Sequence, residues 1–242
     1  MTALGQAGRP PTVTAMAAVA PDPRRAAAPE PGERLAAASF GVVLAGALVL
    51  YVVVGHRHYW FFNDEWAFLV GRDGGDLGDL LRPHNEHWAT GPIVVYRLLW
   101  QAVGLRTYLP YQGLVIALHL TAGVLLRAVM RRSGGGPWTS TAAASMFVLL
   151  AGAGWQNIVW AFQITMVGSL VCGLAHLLLS DHDGRFDRRD AAGLALGGLG
   201  LLCSGAGVAM TLAVGLAVLL RRGWRMAALH TVPLALGFGW WW

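Results

Sequence analysis

"PIVVYRLLWQAVGL", residues 92–105, decides how this chain is laid out. It is apolar enough to count as a membrane helix. Yet Arg97, Gln101 and Gly104 fall at i, i+4 and i+7 and draw a polar stripe along one face. A helix of that pattern lies in the membrane interface rather than across it. At 1.5 Å per residue the segment 91–105 would reach only about 22 Å, short of a hydrocarbon core of roughly 30 Å.

The arginines agree. The apolar segments are 36–54, 91–105, 112–130, 137–153, 162–180, 191–204, 207–220 and 226–242. If 91–105 crosses the membrane, strict alternation puts Arg131, Arg132, Arg185, Arg188, Arg189, Arg221 and Arg222 outside, opposite to Arg24, Arg25 and Arg34. If it lies on the outer surface, all of these fall on one side, and Arg57, Arg72, Arg82, Arg97 and Arg106 remain outside. Only the second layout obeys the positive-inside bias. The expectation is an all-α, polytopic membrane bundle of about seven spans with a cytoplasmic N-terminus. A large outer loop, 55–111, carries the interfacial helix, and "CSGAG" (203–207) turns outside between two short spans.

Composition supports this. Of 242 residues 55% are hydrophobic and 13% charged, with mean hydropathy +0.51, where soluble domains carry roughly a quarter charged. The net charge is +5, but the basic residues form short clusters between apolar runs, which excludes nucleic-acid binding as the explanation. Cys172 and Cys203 sit in apolar stretches and make no disulfide framework. Residues 1–35, with "RRAAAPEPGERL", read as a disordered tail. The chain stops at "GFGWWW" (237–242), which reads as an interfacial anchor or as a reading frame cut short.

The outer loop concentrates chemistry. It holds six of the thirteen acidic residues (Asp64, Glu65, Asp73, Asp76, Asp79, Glu86) and four of the eight histidines (His56, His58, His84, His87). In "FFNDEWAFLV" (61–70) the acids Asp64 and Glu65 lie between aromatic runs at the exit from the first span. A partly desolvated carboxylate there has a raised pKa, which suits a general base. Neighbours in sequence point different ways, so Asp64 is assigned as base and Glu65 as helper or metal ligand. In "RPHNEHW" (82–88), a helix would put His84 and His87 on one face with Glu86 close by. Three readings stay open there. Glu65, His84, Glu86 and His87 could hold a divalent metal; Arg82, His84 and His87 could contact a phosphate; or Pro83 pins a structural turn. In "GWQNIVWAFQ" (154–163), Trp155 and Trp160 fit an interfacial belt. Gln156, Asn157 and Gln163, with Asn85 of the loop, add amides suited to a sugar or lipid headgroup. His119 and His176 lie inside spans and read as helix-packing groups.

One span, a long outer loop with an acidic pair near its start, "PHNEHW", an amphipathic helix and "GLRTYLPYQGLVIALHLTAGVLL" (104–126) together resemble the N-terminal module of GT-C membrane glycosyltransferases. "WQNIVWAFQI" (155–164) resembles actinobacterial members of that class. The resemblance covers about residues 36–240 and implies a hexosyl- or pentosyltransferase. Its donor is a polyprenyl-phosphate sugar and its acceptor a cell-envelope molecule on the outer face. It places the catalytic base at Asp64 or Glu65. The partners it implies are that donor and membrane lipids, and the one cofactor considered is a divalent metal. Members of the class usually have more spans and often a C-terminal soluble domain. Two rival classes are a metal-dependent membrane hydrolase using the same loop, and a non-catalytic membrane protein or truncated remnant.

Overall fold

The computed structural model of the chain describes residues 32–72, 75–149 and 154–242. The expected tail, apart from its last four residues, and Asp73 lie outside the described residues, as do the side chains of His56, Arg57 and His58.

Helices form where apolar runs are punctuated by turn residues and caps. In chain order they are α1 (Glu33–His58), α2 (Asp64–Leu69), α3 (Leu77–Leu81), α4 (Thr90–Val103), α5 (Leu109–Arg132), α6 (Pro137–Leu149), α7 (Gln156–Val159), α8 (Ile164–Ser180), α9 (Arg188–Cys203), α10 (Ala206–Arg222) and α11 (Trp224–Trp241). A short 3-10 turn, Ala161–Gln163, leads into α8. Pro110 sits in the first turn of α5, where its missing N–H costs nothing. Arg131 and Arg132 close the same helix, opposing the negative end of its dipole. A reciprocal capping box, Asp187 with Asp190, starts α9. Gly223 ends α10 at φ +85°, a backbone state that favours glycine.

The seven longer helices α1, α5, α6, α8, α9, α10 and α11 coincide with the apolar segments read from the sequence, and α4 with the amphipathic one. They run alternately between two ends. At one end Glu33 of α1 pairs with Arg127 and Arg131 of α5. There Arg132 donates to Leu178 O, and Arg221 and Arg222 of α10 reach Asp181 and Asp190. At the other end Tyr108 bonds the Ala161 N–H, the Trp155 indole donates to the Tyr59 hydroxyl, and Trp88 stacks on Trp241. "CSGAG" makes a turn between α9 and α10, as expected.

The number of spans needs correction. Among the described residues three stretches are long and apolar enough to cross a membrane: Glu33–Gly55, Leu109–Arg132 and Ala161–Ser180. The physical reason is length and composition. Helices α9 and α10 have 16 and 17 residues, reaching about 24–26 Å against a core of roughly 30 Å, and of α6 the residues Pro137–Leu149 are described. Helix α11 has 18 residues but carries Arg225, His230 and Pro233. Large apolar side chains face outward on α1 (Val42, Val49), α10 (Leu212, Leu216, Leu220) and α11 (Val232, Leu236), a surface suited to lipid rather than water.

Two apolar clusters hold the bundle. One joins α1, α5 and α6 through Phe40, Ala47, Tyr51, Ile116 and Val148. The other, at the aromatic end, gathers Phe61, Phe68, Ile93, Tyr96, Tyr111 and Ile164. Between α9 and α10 the backbones touch: a Cβ added to Gly207 would stand 2.6 Å from the Gly200 carbonyl oxygen. A backbone atom inside a helix has nowhere to retreat. Gly207→Ala is therefore expected to cost about 1–3 kcal/mol, read as a lowered midpoint in thermal unfolding of the detergent-solubilised chain.

Candidate functional site

The aromatic end is built outward from the exit of α1. After α1 the backbone is extended at Tyr59 (φ −123°, ψ 144°), and exposed and buried side chains alternate from Trp60 to Phe62. Phe61 is buried edge-on against Tyr108 and Tyr111 at 5.1 and 4.8 Å, while Trp60 and Phe62 point out. Asn63 then adopts φ +48°, ψ −115°, a conformation that favours glycine and is held only by its surroundings. It turns the chain into α2, whose first two residues are Asp64 and Glu65. At 3.6 residues per turn these neighbours face directions about 100° apart.

The structure separates them sharply. Glu65 is fully buried. Its Oε1 accepts from the Tyr96 hydroxyl at 2.5 Å and the Tyr108 hydroxyl at 2.9 Å, and its Oε2 accepts from the Phe62 N–H at 2.8 Å. Burial raises its pKa, opposed by those three donors. Burial and the adjoining carboxylate raise the pKa of both phenols, so they remain donors. With both oxygens taken by protein donors, Glu65 fastens α2 to α4 and to the start of α5. In this arrangement the Glu65 carboxylate serves as an acceptor for protein donors.

Asp64 is partly open, its side chain 29% exposed, with Oδ1 at 3.9 Å from Nε2 of His84. His84 is edge-on to Phe68 at 4.9 Å and tilted against Phe162 at 5.7 Å. Its Nε2 is buried and has no hydrogen-bond partner. Burial lowers its pKa, outweighing the pull of Asp64, so the ring is neutral at neutral pH.

The His84–His87 segment is a turn, not a helix. Their backbones pair in both directions, at 3.0 and 3.1 Å, and Asn85 takes φ +43°. Pro83 before and Asn85 within the stretch dictate this. The two rings meet different neighbours: His87 lies over Gly205, where a Cβ would come within 2.9 Å of Nδ1, and Asn85 and Glu86 are exposed at the tip. Among the described residues, ligand atoms of Glu65, His84, Glu86 and His87 form no convergent group of three. Arg82 points to the surface, pairing with Asp79 at 2.8 Å and donating to Gly71 O at 3.1 Å.

The residue that shapes this loop is Arg72, to which the sequence assigned no role. It is buried and donates to the carbonyls of Asp79, Arg82 and Pro83 at 2.6, 2.6 and 2.9 Å. No spacing rule distinguishes it from the other loop arginines. Tyr96 and Tyr108, which hold Glu65, were equally silent.

Of the amide and tryptophan group, Trp155, Gln156 and Trp160 come together with Tyr59, Trp60, Phe62 and Tyr108 around a half-open cavity of about 500 Å³. Asn157 lines a separate cavity of about 270 Å³ with His119 and Phe147. The Gln163 side-chain oxygen is buried without a partner. Trp160 stacks on Phe162 at 4.9 Å, and Phe162 touches His84, so aromatic contacts run unbroken from the cavity wall to the Asp64–His84 pair. No known protein family, curated protein or solved structure matches the chain.

Proposed function

We propose that the chain is a membrane-embedded glycosyltransferase. It moves a sugar from a polyprenyl-phosphate donor to a cell-envelope acceptor at its aromatic, outward-facing end. The observation that carries the reading is the half-open carboxylate of Asp64 opposite an unpartnered His84 Nε2, joined by Trp160 and Phe162 to an aromatic cavity. Helices α1, α5 and α8 cross the bilayer and the shorter apolar helices run beside them. The arginine-rich end faces the cytoplasm with the N-terminus, as the positive-inside bias favours.

In this reading Asp64 takes the proton of the acceptor hydroxyl. The freed oxygen attacks the anomeric carbon, the glycosidic C–O bond forms, and the sugar–phosphate bond breaks with its electron pair leaving on the phosphate. Neutral His84 orients Asp64 when a bound hydroxyl closes the 3.9 Å gap. Indole and phenyl faces of Trp60, Phe62, Trp155 and Trp160, with the Gln156 amide, suit a sugar ring or an isoprenoid chain. Glu65 keeps Asp64 in place without touching the reacting atoms.

The test is transfer by membranes containing the chain, offered a panel of radiolabelled polyprenyl-phosphate sugars and envelope acceptors. Wild type is expected to transfer label from at least one donor. Asp64→Asn at equal expression should lose roughly 10²-fold or more of that rate. Equal transfer by the two proteins would remove Asp64 from the chemistry, and no transfer from any donor would sink the reading.

A further inference from the structure

A second constellation lies at the opposite, arginine-rich end and owes nothing to the transferase reading. The connection after α8 and the first turn of α9 bring His182 Nε2, Asp187 Oδ1 and Asp190 Oδ1 within 4.8 Å of one another. The nitrogen stands 3.2 Å from the Asp190 oxygen and 3.6 Å from that of Asp187. An ion bound tetrahedrally through N and O ligands at about 2.0–2.1 Å has ligand–ligand edges of about 3.3 Å. The two edges from the His182 nitrogen, 3.2 and 3.6 Å, are close to that value.

An independent observation concerns the His182 ring itself. Its side chain is only 11% exposed. Nδ1 lies 3.0 Å from the Asp183 carbonyl oxygen, which can only accept, so Nδ1 carries the proton. In the neutral ring Nε2 then presents its lone pair, and this buried atom has no hydrogen-bond partner. A lone pair facing two carboxylates is repulsive unless a positive charge stands between them. An imidazole that donates one N–H to a backbone carbonyl and aims its other nitrogen at carboxylates has the posture of a metal-binding histidine.

The outer contacts are those of a supported ligand. Asp190 is fully buried: its Oδ1 accepts from Arg222 at 2.6 Å and from His230 Nε2 at 3.0 Å, and its Oδ2 from Arg222 at 3.1 Å and the Asp187 N–H at 2.9 Å, so an ion would share Oδ1 with these donors. His230 in turn meets His176 Nε2 through Nδ1 at 2.9 Å. Asp187 Oδ1 accepts from the Arg189 N–H at 2.7 Å. Arg222 offsets one of the two carboxylate charges, which leaves one negative charge and the nitrogen lone pair to draw a cation.

We propose that His182, Asp187 and Asp190 bind a divalent transition-metal ion of the zinc type, with a fourth position open to water. The ion ties the loop between α8 and α9 to the Asp190 carboxylate that α10 and α11 already grip.

The test uses the full chain in detergent, purified without chelator, with bound metal measured by elemental analysis and Co²⁺ titrated as an optical probe. Expected are one equivalent of metal per chain and visible d–d bands of low-coordinate Co²⁺. His182→Ala and Asp187→Asn should each reduce uptake at equimolar Co²⁺ to a small fraction. His84→Ala should leave uptake whole, which separates this site from the outer loop. Asp187→Asn is chosen because asparagine caps a helix as well as aspartate does, so the fold is kept. Uptake by wild type no greater than by the His182→Ala, Asp187→Asn double variant would mean that a proton on His182 fills the gap, and would overturn the proposal.

Discussion

Glu65→Ala is expected to lower stability by roughly 3–6 kcal/mol, the cost of leaving several buried donors without an acceptor. The donors are the hydroxyls of Tyr96 and Tyr108 and the Phe62 N–H. Neither phenol can turn to water, since Tyr96 is fully buried and Tyr108 nearly so. Thermal unfolding followed by tryptophan fluorescence would read the loss. Asp64→Ala, next in sequence, should shift the midpoint little, because its carboxylate is partly exposed and the neutral His84 ring stands 3.9 Å from it. Equal destabilisation by the two variants would refute this division of roles. The pH dependence carries a sign. Burial raises the Glu65 pKa above its ordinary value of 4.5, so the folded state holds a proton more tightly than the unfolded chain. Its contribution is full below pH 4.5 and declines as pH rises through the folded value.

Arg222→Met, measured with chelator present, is expected to cost about 3–5 kcal/mol, the penalty for stranding a buried charge. Asp190 would keep only His230 and the Asp187 N–H as donors. Burial opposes its ionisation, yet the bonds from Arg222, the Asp187 N–H and His230 hold its carboxyl well below the usual aspartate range. The stabilisation is therefore present above the unfolded value of 3.8 and is lost as pH falls through the lower folded one, opposite to Glu65. Adding Asp190→Leu to Arg222→Met should recover much of the loss, because an apolar pair of similar volume replaces a buried ion pair at little cost. No recovery would mean that the pair is not the energetic unit.

The helices were legible because each is an apolar run bounded by its own punctuation. "FDRRDAAG" (186–193) announces the capping box of α9, and "CSGAG" separates α9 from α10. That Arg131, Arg132, Arg221 and Arg222 share one end of the bundle was legible as well, since alternation is arithmetic on the segments. The number of spans was not, because apolar character sets where a helix forms and length sets whether it reaches across. His84 and His87 had helical spacing, but Pro83 and Asn85 set a turn. The fate of the acidic pair lay outside any window of sequence. Glu65 is decided by tyrosines 31 and 43 positions away, and Asp190 by Arg222 and His230, 32 and 40 positions away. Local pattern could say that an acid stood just past the first apolar helix. Only tertiary packing could say which acid faced inward.

The two ends of the bundle are fastened by different forces. At the arginine-rich end Arg132 and Arg221 meet Asp181 and Asp183 through side chains still largely wetted, and such pairs weaken once the Debye length shrinks toward a few ångströms. At the aromatic end the ties are the Trp88–Trp241 stack, the Trp241 indole on the Leu81 carbonyl at 2.6 Å and the enclosed Glu65 cluster, which dissolved ions barely reach. Ionic strength therefore acts on this molecule selectively: it loosens the wetted Arg132 and Arg221 pairs and leaves both the buried Arg222–Asp190 pair and the aromatic end clamped.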